Sequence, residues 1–572
     1  KPGGRSERRT STRLLVFAWS SWLRIAASFL VAIYLAILLF RHLGVELAGL
    51  HLLFAFMTRF LTPLRAAMAR VMTREVAGAL AVDDQGRVTR VFSNAVVLST
   101  ACAAIAFLLM GSLSLFVVQV FTVPPQYASM ARLAIWCETA IVVSFLFFNP
   151  WLNLFIASQR VLMENIARTT ERCLDLFAAM IAFWLFPKVP AVASTHPFVA
   201  FTLVRAALRI GQHVGRSLII ARLIRSARVR FRLINKRDLR DLSKEGGWSL
   251  GNASANVGFY VTDQPFVNVF FGPAYNALFA IVTRLQGMGQ MLGNNVAFGL
   301  EAMVADHHEM GRHDLNKRIM LTGMRVTSSV TVFCTLCVVL LAPQIVDLWL
   351  GKQLKQDVAI QAMGYENALT LIWSFSAILL PSVWFSQAML VSTRVLYGMG
   401  HNRLFSPCLM GAAALKIVLA WVGLQFMGAG PMWVAWSTVI AQAWCFGWVF
   451  PRLIKKVFDV SMVRVFVETY ALPLISTIPS ALVILASWQV VTDWSLHHLA
   501  VVLLIAGVVY APAFFFVALR GDERARLIHL VKMGPRAAMK QVRSGKRKKK
   551  GAQSGEEGDS SGGGGADFGA GL

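Results

Sequence analysis

The chain has 572 residues, 56% of them hydrophobic, and a mean hydropathy of +0.59. That balance excludes a soluble globular class, because apolar runs long enough to cross a bilayer recur along the whole length. The net charge of +27 would point to nucleic acid in a soluble chain, but here much of the Lys and Arg lies in a few loops and at the two ends, where orientation in a membrane requires it.

The first stretch, "KPGGRSERRTSTR" (1–13), is basic and leads into a full-length apolar run. It lacks the short core and small-residue cleavage site of a signal peptide, so it reads as a cytoplasmic tail. Spans are expected at 14–40, 45–68, 93–120, 130–157, 165–186 and 198–222. The second half gives 247–271, 274–299, 320–350, 366–392, 404–427 and 431–453, and two more follow at 466–491 and 497–519. The fold class is therefore all-α and polytopic, with about fourteen transmembrane helices; a β-barrel would show short alternating segments instead. Loop charge agrees. The even-to-odd loops are basic, and 222–244 alone holds nine Lys or Arg, whereas "HLGVE", "FTVPPQYAS" and "GAGP" on the other side are poor in charge. Both termini are expected in the cytoplasm of an inner-membrane protein. The tail after Arg543 is Gly, Ser and charge, a composition expected to be disordered.

Weak repeats recur in order. "IASQRVL" (156–162) matches "LVSTRVL" (390–396), "FAWSSW" (17–22) matches "GGWSLG" (246–251), and "FMTRFL" (56–61) matches "IVTRLQ" (281–286), at offsets of 234, 229 and 225. Together they favour two pseudo-symmetric six-helix bundles, 14–222 and 247–453. A basic connector at 223–246 joins them, 454–519 adds two helices, and 520–572 forms a cytoplasmic basic and then disordered tail. The alternation of basic and apolar residues in the connector suits a helix lying on the anionic leaflet.

With "GNASANVGFYVTDQPFVNVFFGPAYNALFAIVTRLQGM" (251–288) and the repeated Ser-x-Arg-Val-Leu, the chain resembles the multidrug/oligosaccharidyl-lipid/polysaccharide (MOP) exporter superfamily, in its polysaccharide-export, O-antigen-flippase-like branch. The resemblance covers about 14–519. It implies alternating-access flipping of a lipid-linked oligosaccharide, with membrane lipid as partner and a polysaccharide polymerase and glycosyltransferases as neighbours in the pathway.

Charges inside the spans carry the chemistry. Taking about 100° per residue, Arg205, Arg209, Gln212, His213 and Arg216 share one sector of roughly 100° on span 6. Such a sector faces water or protein, not lipid, although Arg216 could also snorkel to the headgroups. Arg24, Arg59 and the repeat-related Arg284 add cations from spans 1, 2 and 8. Arg24, Arg59, Arg205, Arg209 and Arg284 are the expected substrate-binding residues, suited to pyrophosphate because guanidinium forks bind phosphate oxygens in bidentate fashion. Arg325 and Lys416 read as anchors. Glu138, Asp175 and Asp263 are candidates for coupling to H⁺ or Na⁺, or else partners of nearby cations; Asp175 follows Glu171 and Arg172 on its own helix. Asp263, before Gln264 and Pro265, sits where a helix can unwind.

No phosphate-binding loop or metal-ligand spacing appears. Cys334 and Cys337 form a CxxC inside an apolar run, as packing residues do, and "DHHEMGRH" (306–313) reads as a solvated loop. The expectation is a transporter with no cofactor, no metal and no nucleic-acid partner. A cation-coupled multidrug exporter of the same fold would want a net acidic cavity, and a glycan-modifying membrane enzyme would want a large loop carrying acids and His.

Overall fold

The computed structural model of the chain describes residues 3–528, leaving out most of 62–83 and 301–309 together with 159, 191–192, 225–227, 298–299, 522, 526 and 527. Among the described residues there is no strand, and ten segments are long and apolar enough to cross a membrane. Spans 5 and 6, Val161–Met180 and Pro197–Leu223, fall outside those ten because their polar residues lower the hydropathy, yet both are helices packed in the bundle.

Two of the ten are hairpins. Helix Gly3–Met57 is broken at Gly44. On one straight helix Arg24 and Arg59 would stand about 52 Å apart at 1.5 Å per residue. Both instead line one cavity, so the chain doubles back and spans 1 and 2 lie side by side. Gly44 turns with φ 73° and ψ 174°, and Gly272 repeats that conformation in Asp263–Val296 with φ 87° and ψ 179°. This region of backbone space is essentially closed to residues with a Cβ. The two glycines are 228 residues apart, inside the range of the sequence offsets, so the duplication is written in the backbone as well.

The hairpins meet. Asn276 Nδ2 donates to the Gly49 carbonyl at 3.0 Å, and a Cβ on Gly49 would come within 2.5 Å of the Pro273 oxygen. Val45 N donates to Asp357 Oδ2 at 2.6 Å, and Thr122 N to Asn268 Oδ1 at 3.2 Å. All three bonds sit at the odd-to-even ends of the spans, where they stitch the halves together. The largest apolar core runs continuously from Leu38 in span 1 to Phe375 in span 10 and Val434 in span 12. Spans 13 and 14 turn exposed Leu482, Leu504 and Val508 outward, as lipid-facing helices do.

Two expectations are corrected. Span 9 ends at Leu340, not 350, and a separate helix, Ala342–Gln356, follows with Pro343 in its first turn, where the missing N–H costs nothing. The connector is not one helix lying on the leaflet. Arg228–Ile234 is irregular apart from a turn at Phe231–Leu233, and helix resumes at Lys236 behind an Asn235 cap. Its backbone N–H groups go to buried side chains of span 3: Arg230 N to Ser93 Oγ at 3.0 Å and Asn235 N to Asn94 Oδ1 at 3.1 Å. Those bonds replace the helical ladder. The expected disordered tail lies outside the described residues.

Candidate functional site

Spans 1, 2, 4, 5, 6 and 8, with Trp349, enclose a cavity of about 450 Å³. Seven arginines line it, Arg24, Arg59, Arg168, Arg172, Arg205, Arg216 and Arg284, against three acids, Glu164, Glu171 and Asp175. The sequence-predicted cations Arg24, Arg59, Arg205 and Arg284 therefore converge from four helices and both halves of the chain.

The arginines fall into two groups. Those of span 6 are neutralised by spans 4 and 5. Arg205 bonds Glu138 and, at 3.0 Å, Asp175 Oδ1. Arg209 forks onto Asp175 at 2.9 and 2.8 Å and also reaches Glu171 at 2.5 Å. Arg216 pairs with Glu164 at 2.6 Å, and Arg168 takes the other oxygen of Glu164 at 2.7 Å. Arg216 is buried rather than snorkelling. Arg209 does not line the cavity; its guanidinium is spent behind the wall. Asp175 is paired, but across to span 6, not with Arg172 on its own helix.

Arg24, Arg59, Arg172 and Arg284 form the second group. Among the described residues none has a carboxylate within ion-pair distance. Arg284 donates to the Ala32 carbonyl at 3.3 Å, Arg59 lies 4.0 Å over the Phe56 ring, and Arg24 Nε is buried without a hydrogen-bond partner. Like charges clustered in a partly desolvated cavity repel one another, and an anion relieves that cost. Beside them Asn149 and Asn153, one turn apart and flanking Pro150, also line the cavity. Both Asn149 amide atoms and Asn153 Nδ2 are buried without partners.

Sequence reasoning missed Arg168, Arg172, Glu164 and the role of Glu171. The signal was present: positions 164, 168, 171, 172 and 175 recur at three- and four-residue spacing, one polar face of span 5.

The second half holds two further charge clusters, and both overturn the reading of Lys416 and Arg325 as anchors. Lys416 is fully buried and pairs with Asp263 at 2.7 Å. Arg325 is buried between Glu523 at 3.2 Å and Glu468 at 3.5 Å, and Arg464 and Arg520 also bond Glu468. That cluster ties span 9 to span 13 and to the segment after span 14. All seven cysteines are free, and among the described residues no group of His, Cys, Asp or Glu could hold a metal.

No protein-family model matches the chain, and no curated protein sequence matches it. Solved structures do. An inward-facing multidrug resistance MATE family transporter of the MOP superfamily superposes with a TM-score of 0.61 at 13% identity, covering 77% of this chain and 99% of its own. The lipid II flippase MurJ, in an inward closed conformation, gives 0.61 at 11% identity over 87% of this chain and 98% of its own. A MOP superfamily transporter from Pyrococcus furiosus, described as having a binding pocket of reverse polarity, gives 0.56 at 13% identity over 77% and 96%. At these identities the matches show the fold: an all-α, multi-pass membrane protein built as the MOP superfamily transporters are.

Proposed function

We propose that this chain, which has the fold of MOP superfamily transporters, is a flippase that moves an anionic polyprenyl-linked oligosaccharide across the cytoplasmic membrane by alternating access. The observation that carries the reading is the group Arg24, Arg59, Arg172 and Arg284, four cations without carboxylate partners around one cavity. Guanidinium groups gathered around one cavity suit a pyrophosphate, which accepts several N–H bonds at once. A cationic drug would meet like charge there, which disfavours the multidrug reading.

Asn149 and Asn153 support the glycan part of the substrate, since an unpaired amide can both donate to and accept from a sugar hydroxyl. The bonds at Gly49, Val45 and Thr122 close the odd-to-even ends, and loop charge assigns those ends to the outer face. Substrate then enters from the cytoplasmic side, where both termini lie. The flippase match covers about a tenth more of this chain than the drug-transporter match, a difference the length of two spans, as an added C-terminal pair would give. Coupling to H⁺ through Glu138 would require Arg205 to let go, and through Asp175 both Arg205 and Arg209. The neighbouring polymerase and glycosyltransferases belong to the same reading.

The test is transport of a fluorescent prenyl-pyrophosphoryl sugar in proteoliposomes. Replacing Arg24, Arg59, Arg172 and Arg284 together with Gln abolishes transport while leaving membrane insertion and the unfolding midpoint in place. Full transport by that variant would overturn the reading.

A further inference from the structure

The buried pair in the second half is more than an ion pair. Helix Lys236–Tyr260 ends inside an apolar segment, where Val261 and Thr262 turn within the protein interior, and a new helix starts at Asp263. A helix end leaves carbonyl oxygens without intrahelical donors, and in hydrocarbon they must be satisfied from elsewhere. Lys416, from span 11 (Asn402–Phe426), reaches into that break. Its Nζ lies 2.9 Å from the Gly258 carbonyl, 2.8 Å from the Phe259 carbonyl, 2.9 Å from Thr262 Oγ1 and 2.7 Å from Asp263 Oδ1. The Thr438 hydroxyl of span 12 lies 3.3 and 3.2 Å from the two carboxylate oxygens, to either of which its single hydrogen can be donated.

An ammonium has three N–H donors, yet four oxygens surround this one. Two carbonyls, a hydroxyl and a carboxylate converging at the negative end of a broken helix make the ligand shell of a small hard cation. Lysine delivers its charge there on a tether. Gly258 makes the approach possible: a Cβ at that position would stand 2.7 Å from the Ala413 Cβ, one turn before Lys416.

We propose that the Lys416 ammonium is the resident monovalent cation of a site whose oxygens would otherwise hold an alkali ion, so that the site is permanently occupied and takes up no exchangeable Na⁺ or K⁺. The inference is independent of the substrate reading.

The experiment is thermal unfolding of the purified full chain in NaCl and in choline chloride at equal ionic strength. Wild type unfolds at the same temperature in both. Lys416→Ala exposes Asp263 and the two carbonyls; it is destabilised in choline and gains a rise in midpoint of several degrees that saturates with Na⁺. The isosteric double variant Asp263→Asn/Lys416→Met, without charge or vacancy, folds and is indifferent to the salt. Saturable Na⁺ stabilisation of wild type that disappears in Asp263→Asn would overturn the proposal. So would a Lys416→Ala protein that folds equally in both salts, or one that fails to fold in NaCl while the double variant folds.

Discussion

Asp175→Asn separates a structural role from a coupling role. Asp175 accepts three N–H bonds, from Arg205 Nε at 3.0 Å and from Arg209 Nε and Nη2 at 2.9 and 2.8 Å. Hydrogen bonds to charged groups contribute about 1.5–3 kcal/mol each, and breaking a buried pair by removing one partner costs about 3–5 kcal/mol. Asparagine keeps one acceptor oxygen, and Arg205 and Arg209 keep Glu138 and Glu171, so the loss falls at the lower end, about 3 kcal/mol. At no more than about 2 °C per kcal/mol for a chain of this size, the unfolding midpoint drops by roughly 5 °C. Fluorescence-monitored melting in detergent reads it. Asp175→Asn/Arg209→Gln, which also removes the guanidinium whose fork onto Asp175 is lost, regains part of the loss. A single variant that melts with wild type while its transport loses pH dependence would refute the reasoning, because that is how a proton-carrying carboxylate behaves.

Three more outcomes follow from the geometry. Gly272→Ala keeps an open surrounding, with its nearest neighbour 3.9 Å from the added Cβ, so the strain at φ 87° alone lowers stability, by about 1–3 kcal/mol in a melting assay. Arg325→Leu takes one partner from Glu468 and Glu523, which keep Arg464, Arg520 and the Thr322 hydroxyl, and costs about 1.5–3 kcal/mol; limited proteolysis then cuts after span 14 sooner than in wild type. Asn149→Leu/Asn153→Leu leaves binding of sugar-free prenyl pyrophosphate intact but weakens a prenyl-pyrophosphoryl sugar about tenfold, as the loss of one or two hydrogen bonds would, measured by titration in detergent.

Much of this was legible in the sequence. Span positions followed from apolar runs, and the Gly44 and Gly272 turns fall in or beside the gaps between expected spans. The cation set at Arg24, Arg59, Arg205 and Arg284 was readable because charge in an apolar span must face protein or water. Which arginines are neutralised was not. Pairing depends on how spans 4, 5 and 6 rotate against one another, and rotation is set by packing that a single sequence does not encode locally. The same limit hid Lys416: 153 residues separate it from Asp263, and the packing of span 11 along span 7, close at Gly258 and Ala413, brings them together. The connector misled for a different reason. Its alternating pattern suits an amphipathic helix, but Ser93 and Asn94 capture its backbone first.

The central claim, an anion site made by unpaired arginines, is tested most directly by titrating purified protein with prenyl pyrophosphate at low and high salt. Wild type binds and weakens as salt rises, because the attraction is ionic. The variant with Arg24, Arg59, Arg172 and Arg284 all replaced by Gln loses at least about a hundredfold in affinity, the loss of two charge-assisted bonds at about 1.5 kcal/mol each, and loses its salt dependence with it. Wild-type affinity in that variant, with the salt response unchanged, would contradict the account.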